Sequence, residues 1–337
     1  MPDLQTISTS IRDLYMTYPF PQTTRDERLG YLVFQVAKYK FLGLDEVIRD
    51  GRILDVGCGT GRNIMIAKHV GAREYVGLDY SAASIEIAKR VAAEDGMASA
   101  SFVEGDLFKM PFPDNSFDAA CCWGVLHHTG DPLRGLREMC RVVRPGGLVA
   151  FYVYNKANHW RHNIQYNKII RRAGGDLERR FEVAHQLYGT KPIEQMSMTD
   201  KVGFYDRYCV PFKTEHSFGE ILGWFDTLKV DFHGTSRPAR FRDFIRYLQF
   251  INQVLPTLPK PVSVGTARTA GRLVKLGSLL PKLSAGSAPF KRPSFMHRLF
   301  WEGVLALQGL DPRQSHSTSF SGRVTDATKR VMRAAAH

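Results

Sequence analysis

The sequence predicts an α/β fold in which helices cover both faces of a doubly wound, mostly parallel sheet. The main observation is a regular alternation of apolar strands and amphipathic helices from Arg52 to Phe151, which is typical of parallel strands lying between two helical layers. A second observation is that glycine-rich or acidic turns follow these strands, at the sheet edge where such folds bind ligands. The chain has 337 residues and is 44% hydrophobic, enough to bury a large core.

The first predicted strand, 53–56, runs into three alternate glycines before a helix over 62–69. Gly57, Gly59 and Gly61 suit a tight turn because glycine adopts left-handed backbone angles without strain. They also let a ligand approach the backbone without meeting a Cβ atom. The turn is therefore predicted to seat a nucleotide.

Acidic residues follow the next two predicted strands. The strand at 75–78 precedes Asp79, and a carboxylate at that strand end can accept hydrogen bonds from both hydroxyls of a ribose. The strand at 101–104 precedes Asp106, which is placed to accept a hydrogen bond from the exocyclic amine of an adenine. An adenosine ligand is the simplest explanation of both positions.

The remaining elements continue the alternation and enclose one long insertion. They are a helix over 82–95, a strand over 117–122, a helix over 132–143, a strand over 148–153, a helix over 217–225 and a strand over 229–232. The insertion, 155–212, is rich in aromatic residues and too long for a plain loop, so we expect a lid or a substrate wall.

Five stretches in this order carry a family resemblance: DVGCGTGRN, VGLDYS, EGDLFKMPFPDNSFD, VLHH and VVRPGGLVAFY. Together they resemble the class I S-adenosylmethionine-dependent methyltransferases, in particular the subgroup similar to quinone and other small-molecule methyltransferases. The resemblance is close over 30–155 and looser over 216–234. Glycine spacing disfavours the alternative of a dehydrogenase, whose fingerprint is G-x-G-x-x-G. The resemblance implies a Rossmann-like sheet and S-adenosyl-L-methionine as cofactor.

The resemblance also assigns site residues. The cofactor-binding residues that it implies are Tyr18, Asp55, Gly57, Gly59, Gly61, Asp79, Tyr80, Ser81, Asp106, Leu107, Trp123 and Gly124. For the N-terminal segment, either Tyr15 or Tyr18 is expected to line the site. His127 and His128 follow the fourth strand, which faces the transferred methyl group in this family. An imidazole can accept a proton near neutral pH, so we expect His128, then His127, to be the general base, with a structural or cofactor-orienting role as the alternative.

Charge divides the chain into unequal parts. Residues 1–150 hold 17 Lys and Arg against 19 Asp and Glu, whereas 236–337 hold 17 against 4, a net charge of +13. We therefore predict an N-terminal cap (1–45), a methyltransferase domain (46–235) and a basic, helical C-terminal extension (236–337). Apolar residues at helical spacing in the extension leave three partners open: the core or a second subunit, an anionic membrane surface, or RNA.

The five cysteines lack the paired spacing of a zinc site, so we expect no metal and a reduced, cytoplasmic setting. The start of the chain, MPDLQTISTS, has neither the basic residues nor the apolar run of a secretory signal. No apolar run approaches the ~18 residues of a membrane-spanning helix. Cys121 and Cys122 invite comparison with the nucleophile of cytosine-C5 methyltransferases, but their place in an apolar strand, with no preceding proline, favours packing.

The sequence points to a small acceptor without identifying it. After strand four, the residues Trp123 to Leu126 depart from the [DNS]-P-P-[YF] motif that accompanies methylation of planar amide or adenine nitrogens. We expect methyl transfer to an oxygen, carbon or nitrogen of a small hydrophobic molecule. The alternatives are an RNA-modifying enzyme that uses the basic extension, and a cofactor-binding partner protein without catalysis.

Overall fold

A computed structural model describes residues 3–21, 23–236, 292–308 and 317–335. The strands are β1 (Arg52–Val56), β2 (Glu74–Asp79), β3 (Ala100–Glu104), β4 (Phe117–Trp123), β5 (Val143–Tyr154), β6 (Asp231–Thr235) and β7 (Ser317–Arg323). The helices are α1 (Leu4–Thr17), α2 (Arg25–Phe41), α3 (Leu44–Ile48), α4 (Ile64–His69), α5 (Ala82–Glu94), α6 (Pro132–Val142), α7 (Trp160–Ala173), α8 (Leu177–Tyr188), α9 (Met198–Tyr208), α10 (Phe218–Leu228), α11 (Phe295–Gln308) and α12 (Asp326–Ala334).

The described strands form one seven-stranded sheet in the order β3-β2-β1-β4-β5-β7-β6. Strands β1 to β5 are parallel, and β7 pairs antiparallel with both β5 and β6. The chain winds outward in one direction from β1 to β3 and in the other from β4. Ligands of such sheets bind where the winding direction changes, here between the carboxyl ends of β1 and β4. The predicted α/β, Rossmann-like fold is confirmed.

The central strands are buried on both faces because alternate side chains enter different helical layers. Ile53 belongs to one apolar cluster, whereas Leu54 and Val56 belong to another. In the neighbouring strand, Cys121 and Cys122 divide in the same way. All five cysteines are free and buried, and burial raises the pKa of both strand-four thiols, which agrees with a packing role.

Strand β7 is the largest difference from the sequence-based expectation, which treats everything after 235 as a helical extension. The structure places Ser317–Arg323 inside the main sheet, where Phe320 pairs with Phe151 and is 1% exposed. The stretch STSFSGR holds one large apolar residue, so it lacks the alternation of apolar and polar residues that predicts a strand. Of the apolar stretches at helical spacing in the predicted extension, the one at 295–307 forms α11, whereas those between 241 and 280 lie outside the described residues.

The insertion folds into three helices, α7, α8 and α9, around a third apolar cluster. Its buried members include Phe181, Tyr205 and Tyr208, and Leu14 of α1 joins them. The N-terminal cap therefore packs on the insertion as well as on the sheet. This arrangement places α1 and α9 on either side of the space above the carboxyl ends of the strands.

Two further observations concern metals and membranes. The described part of the chain contains no group of three His, Cys, Asp or Glu side chains arranged to hold a metal ion. Among the described helices, none combines the length and the apolar character needed to cross a membrane.

Candidate functional site

A cavity of about 230 Å³ lies at the carboxyl ends of the central strands. The glycine turn and the ends of β2 and β4 form its floor, and α1 with one residue of α9 closes it from above. The cavity coincides with the position where the winding of the sheet reverses. It is therefore where a ligand of this fold is expected.

The glycine turn is shaped for close approach by a ligand. Gly57 and Gly59 both have positive φ angles, +71° and +53°. A Cβ at Gly57 would collide with the Val125 side chain, and one at Gly59 would collide with the carbonyl oxygen of Phe20. Gly61 differs, because it does not line the cavity; a Cβ there would meet the Ile64 side chain of α4.

Asp79 is held rigidly at the end of β2. Its Oδ2 accepts a hydrogen bond from the Gly59 amide at 2.7 Å, and its Oδ1 accepts one from the Ser81 amide at 2.9 Å. Burial raises the pKa of this carboxyl, while the two amide bonds favour the charged form. The carboxylate joins the glycine turn to the start of α5 and lines the cavity with Tyr80 and Ser81, as predicted for a ribose-binding acid.

Asp106, Leu107, Trp123 and Gly124 also line the cavity. The Oδ1 atom of Asp106 accepts a hydrogen bond from the Phe108 amide at 2.8 Å. This bond fixes the carboxylate at the loop after β3. The structure therefore brings most of the sequence-predicted residues to one site, with three exceptions: Gly61, Asp55 and Tyr18.

Asp55 lies beneath the glycine turn and not on the cavity wall. Its Oδ2 accepts hydrogen bonds from Tyr75 Oη at 2.6 Å and from Asn63 Nδ2 at 3.0 Å, while its buried Oδ1 has no hydrogen-bond partner. Burial raises the pKa of Asp55 to about 6, although both hydrogen bonds oppose the shift. The Asp55 carboxyl therefore does not contact the cavity. It positions Asn63, which lines the cavity.

Tyr18, which follows the last residue of α1, does not line the cavity. Its ring stacks on Tyr205 with 4.2 Å between ring centroids, within the apolar cluster of the insertion. Tyr15 lines the cavity and donates a hydrogen bond from its hydroxyl to Asp206 Oδ1 at 2.9 Å. The backbone carbonyl of Tyr15 also accepts a bond from Ser81 Oγ at 3.1 Å, which docks α1 against the cofactor-binding strands.

The two histidines lie in a short 3-10 helix, Leu126–His128, after β4. His128 Nδ1 is 3.0 Å from the carbonyl oxygen of Phe212. A carbonyl only accepts hydrogen bonds, so Nδ1 carries the proton and the lone pair of the neutral ring lies on Nε2. Burial lowers the pKa of His128 and, more strongly, that of His127. Both rings line the cavity in their neutral form.

Comparison with known proteins agrees with this geometry. A family model described as "Methyltransferase domain" matches residues 54–151. A demethylmenaquinone methyltransferase of Listeria monocytogenes is 36% identical over 109 residues, which cover 32% of this chain and 46% of that protein. The chain belongs to the class I S-adenosylmethionine-dependent methyltransferase family. The aligned segment spans less than half the length of that curated relative.

Two other similar proteins extend the comparison. An uncharacterised protein of Synechococcus is 30% identical over 263 residues, covering 72% of this methyltransferase-family chain and 63% of that protein. The solved structure of a SAM-dependent methyltransferase from Aquifex aeolicus is 19% identical, covers 46% of this chain and 75% of that one, and has a TM-score of 0.33. A similarity of that size carries no information on function.

The residues of this methyltransferase-family site fit S-adenosylmethionine. The glycine cradle leaves the room that a methionine moiety needs, and Asp79 faces the same space. Among the described residues, the buried donor Arg62 Nε has no hydrogen-bond partner, and its side chain lines the cavity. An unpaired buried donor is costly, so its place beside the glycine turn indicates a polar ligand.

Several lining residues were missed by sequence reasoning. Arg62 is one, and its guanidinium lies 5.7 Å from the ring of Phe20 and 4.6 Å from that of Tyr31. Its position as the first residue after the glycine turn was a usable signal, because a cation there can meet the carboxylate of a cofactor. Asp206 lies in the aromatic insertion that the sequence predicts to be a lid or a substrate wall, although no local signal separates it from its charged neighbour Arg207.

Proposed function

We propose that the protein is an S-adenosylmethionine-dependent methyltransferase that moves a methyl group to an oxygen, carbon or nitrogen of a small hydrophobic acceptor. The observation that carries the proposal is the joining of two half-sites in one cavity. One half is the glycine cradle with Asp79, and the other is an aromatic chamber that contains His128. A site that bound only the cofactor would not need the aromatic chamber.

In the cofactor half, Asp79 would accept hydrogen bonds from the ribose hydroxyls, and Asp106 with Leu107 would frame the adenine. Gly57 and Gly59 would border the methionine moiety. Arg62 would meet the methionine carboxylate, where its planar guanidinium can bind both oxygens. Bound S-adenosylmethionine supplies a methyl group on a positively charged sulfur, which needs no metal for activation.

In the acceptor half, the protein would act mainly by positioning and by excluding water. Trp123, Tyr152 and Tyr154 form aromatic walls beside the histidines. The Tyr154 ring lies 3.9 Å from the His127 ring, centroid to centroid, which leaves the pair tightly packed. Where the reacting atom of the acceptor carries a proton, His128 would accept it on Nε2, because its neutral tautomer is already set by Phe212.

The aromatic walls support a hydrophobic acceptor. Tyr31 and Phe108 extend the same lining, and rings of this kind bury large apolar surfaces. A relative that is a demethylmenaquinone methyltransferase is compatible with such an acceptor. The acceptor itself is not identified by these contacts.

Calorimetric titration of the full chain with S-adenosylmethionine and S-adenosylhomocysteine tests the proposal first. The variant Asp79→Ala removes a carboxylate that organises the turn and meets the ribose, so we expect at least ~100-fold weaker binding, the loss of two charge-assisted hydrogen bonds. Glu86→Ala on α5 is the matched control, because Glu86 is exposed and pairs only with Lys89 among the described residues.

Three outcomes would contradict parts of this reasoning. No binding by the intact chain would remove the cofactor proposal. Equal affinities for the two variants would place the cofactor elsewhere. Binding without turnover on any of a panel of hydroxylated and amino-substituted aromatic acceptors would favour the alternative of a non-catalytic partner protein.

We also propose that the part of the basic extension that precedes β7, 236–316, holds the enzyme against an anionic membrane, where a hydrophobic acceptor would be found. This part holds 13 Lys and Arg against 3 Asp and Glu, a net charge of +10, and Phe295 and Met296 of α11 are 63% and 71% exposed. Basic helices with exposed apolar residues bind anionic interfaces. Packing against a second subunit and RNA binding remain the alternatives.

Vesicle sedimentation tests the membrane proposal. The intact chain should sediment with phosphatidylglycerol-containing vesicles and not with pure phosphatidylcholine. The double change Phe295→Ser and Met296→Ser should release it, whereas Met198→Ser, at a 53% exposed position on α9, should not. Capture by RNA with a steep salt dependence and no vesicle binding would favour the RNA-modifying alternative.

A further inference from the structure

The insertion contributes a single residue to the cavity wall, and that residue is an acid. Asp206 of α9 lines the cavity, and no other residue between 155 and 212 does. Its Oδ1 accepts the hydroxyl hydrogen of Tyr15 at 2.9 Å, while no hydrogen-bond partner for its Oδ2 is found in the described part of the chain. The insertion therefore presents one carboxylate oxygen to whatever occupies the acceptor half.

No described cation forms an ion pair with this carboxylate. The two arginines that line the cavity belong to the cofactor half: Arg12 contacts Glu104 at 3.6 Å and the Tyr80 ring, and Arg62 lies over aromatic rings beside the glycine turn. Lys213, on the far side of His128, is paired with Glu215 at 3.2 Å. Within the described residues Asp206 therefore has no ion-pair partner, although the charge of Arg62 acts on its carboxylate from a longer distance.

We propose that Asp206 selects the acceptor by charge and hydrogen bonding. It accepts a hydrogen bond from a hydroxyl or amino group of a neutral or cationic acceptor. It also excludes acceptors that carry a carboxylate or phosphate beside the reacting atom. This inference rests on the proposed methyltransferase function and names the chemical class that its acceptor half admits.

Hydrogen-bond donors and anionic groups of a ligand interact with the Asp206 carboxylate in opposite ways. A ligand donor that reaches Oδ2 forms a charge-assisted bond in a water-poor chamber, where such bonds are strong. An anionic group in the same place is repelled by the Asp206 carboxylate, which no described ion-pair partner neutralises. A site built to accept a hydrogen bond discriminates more strongly than an apolar pocket, because the analogue leaves a buried polar group unpaired.

Tyr15 has a supporting part in this selection. Its hydroxyl fixes one carboxylate oxygen, so the other is held at a constant position above the acceptor half. The same tyrosine docks on Ser81 through its backbone carbonyl. The Asp206 carboxylate is thereby positioned from the cofactor side of the cavity. Tyr15 is therefore a positioning residue, and Asp206 is the residue that contacts the acceptor.

The test uses the full chain saturated with S-adenosylhomocysteine and two probes of one shape, 2-naphthol and 2-naphthoate, titrated at pH 7. Wild-type protein should bind 2-naphthol and reject 2-naphthoate. Asp206→Asn should weaken 2-naphthol binding about tenfold and strengthen 2-naphthoate binding, moving the ratio of the two dissociation constants about 100-fold. Asp206→Glu keeps the charge and should retain the wild-type preference.

Two controls separate recognition from disturbance of the fold. Tyr15→Phe frees Oδ1 but keeps the carboxylate, so the affinities for both probes should change together and their ratio should hold. The affinity for S-adenosylhomocysteine should stay within about threefold in all variants, since Asp206 is assigned to the acceptor.

Each other result counts against the inference. An unchanged probe ratio in Asp206→Asn, or no probe binding to a wild-type protein that does bind S-adenosylhomocysteine, overturns it while the proposed function stands. A loss of S-adenosylhomocysteine affinity in Asp206→Asn overturns it by assigning the carboxylate to the cofactor. Failure of the wild type to bind S-adenosylhomocysteine overturns the proposed function, and this inference with it.

Discussion

The buried carboxyl of Asp55 makes a sharp prediction about stability and pH. Burial raises its pKa from 3.8 to about 6 in the folded protein. Between these values the folded state holds a proton that the unfolded chain has already released. By linkage, stability contributed by this group is present at low pH and is lost as pH rises through the folded pKa.

The magnitude follows from the size of the shift. A rise of the pKa from 3.8 to about 6 corresponds to about 3 kcal/mol, and part of this has already been lost at pH 4, where more than half of the unfolded carboxyl is ionised. The free energy of unfolding should therefore fall by about 2 kcal/mol between pH 4 and pH 7.5 from Asp55 alone. Other titrating groups add their own pH dependence, so the total curve does not isolate this residue.

Comparison with the variant Asp55→Asn isolates the contribution of Asp55 to the pH dependence of stability. Asparagine can still accept the bonds from Tyr75 and Asn63, although its amide meets the position where Oδ1 has no partner. Whatever the pH-independent cost of the substitution, the variant should gain about 2 kcal/mol of stability relative to wild type between pH 4 and pH 7.5. Urea unfolding followed by tryptophan fluorescence measures both proteins at both pH values.

One result would refute this reasoning directly. If the difference between variant and wild type is the same at pH 4 and pH 7.5, the folded pKa of Asp55 is not raised. The carboxyl would then be solvated or paired with a cation, and its assigned place beneath the glycine turn would be wrong.

Three further predictions address the site and its support. Gly59→Ala should abolish cofactor binding, because φ is +53° and a Cβ would collide with the Phe20 carbonyl; calorimetry checks it, and near wild-type affinity would contradict it. His128→Gln should reduce methyl transfer about 10²- to 10⁴-fold with unchanged S-adenosylhomocysteine affinity. Because burial lowers the pKa of His128, the wild-type rate should stay level from pH 8 to below 6.5 and then fall, and a loss already at pH 7.5 would exclude this base. Arg28→Met should cost about 3 kcal/mol, since it leaves the buried Asp95 carboxylate without its bidentate partner; denaturant unfolding measures this, and a loss under about 1 kcal/mol would show that water replaces the guanidinium.

The cofactor half was largely predictable from the sequence because its signals are local. A strand, three alternate glycines and an acid at the next strand end lie within 30 residues of one another. The turn geometry follows from the glycines themselves, and Gly57 and Gly59 adopt the positive φ angles that this chemistry requires. The direction of the Asp55 side chain could not be predicted, since the sequence does not show that Tyr75 would draw its carboxyl beneath the turn.

The choice between Tyr15 and Tyr18 was beyond the reach of local reasoning. Both are aromatic, both lie near the end of α1, and three residues on a helix keep side chains on neighbouring faces. What separates them is the partner that each finds on α9: Tyr18 stacks on Tyr205, while Tyr15 meets Asp206. These partners are about 190 residues away in the chain, so only the folded insertion decides which tyrosine faces the cavity.

Strand β7 shows the same limit for the fold. Its sequence has little apolar content, yet the strand is buried because β5 and β6 supply hydrogen-bonding edges on both sides. Ser321 and Thr318 are fully buried there, a placement that composition argues against. The sheet is therefore completed by a segment whose structure comes from its neighbours and not from its own hydrophobic pattern.

These differences share a physical cause that bears on specificity. In the proposed function, methyl-donor binding would use short-range features of β1, β2 and the turn between them. Acceptor recognition would use Asp206 of α9, in an insertion that packs on α1 and contributes one residue to the cavity. Changing the residue at position 206 should alter the acceptor without disturbing the turn, because the described hydrogen bond of Asp206 is with Tyr15 and not with the turn. The acceptor specificity of this methyltransferase should therefore be separable from its cofactor affinity by substitutions on α9 alone.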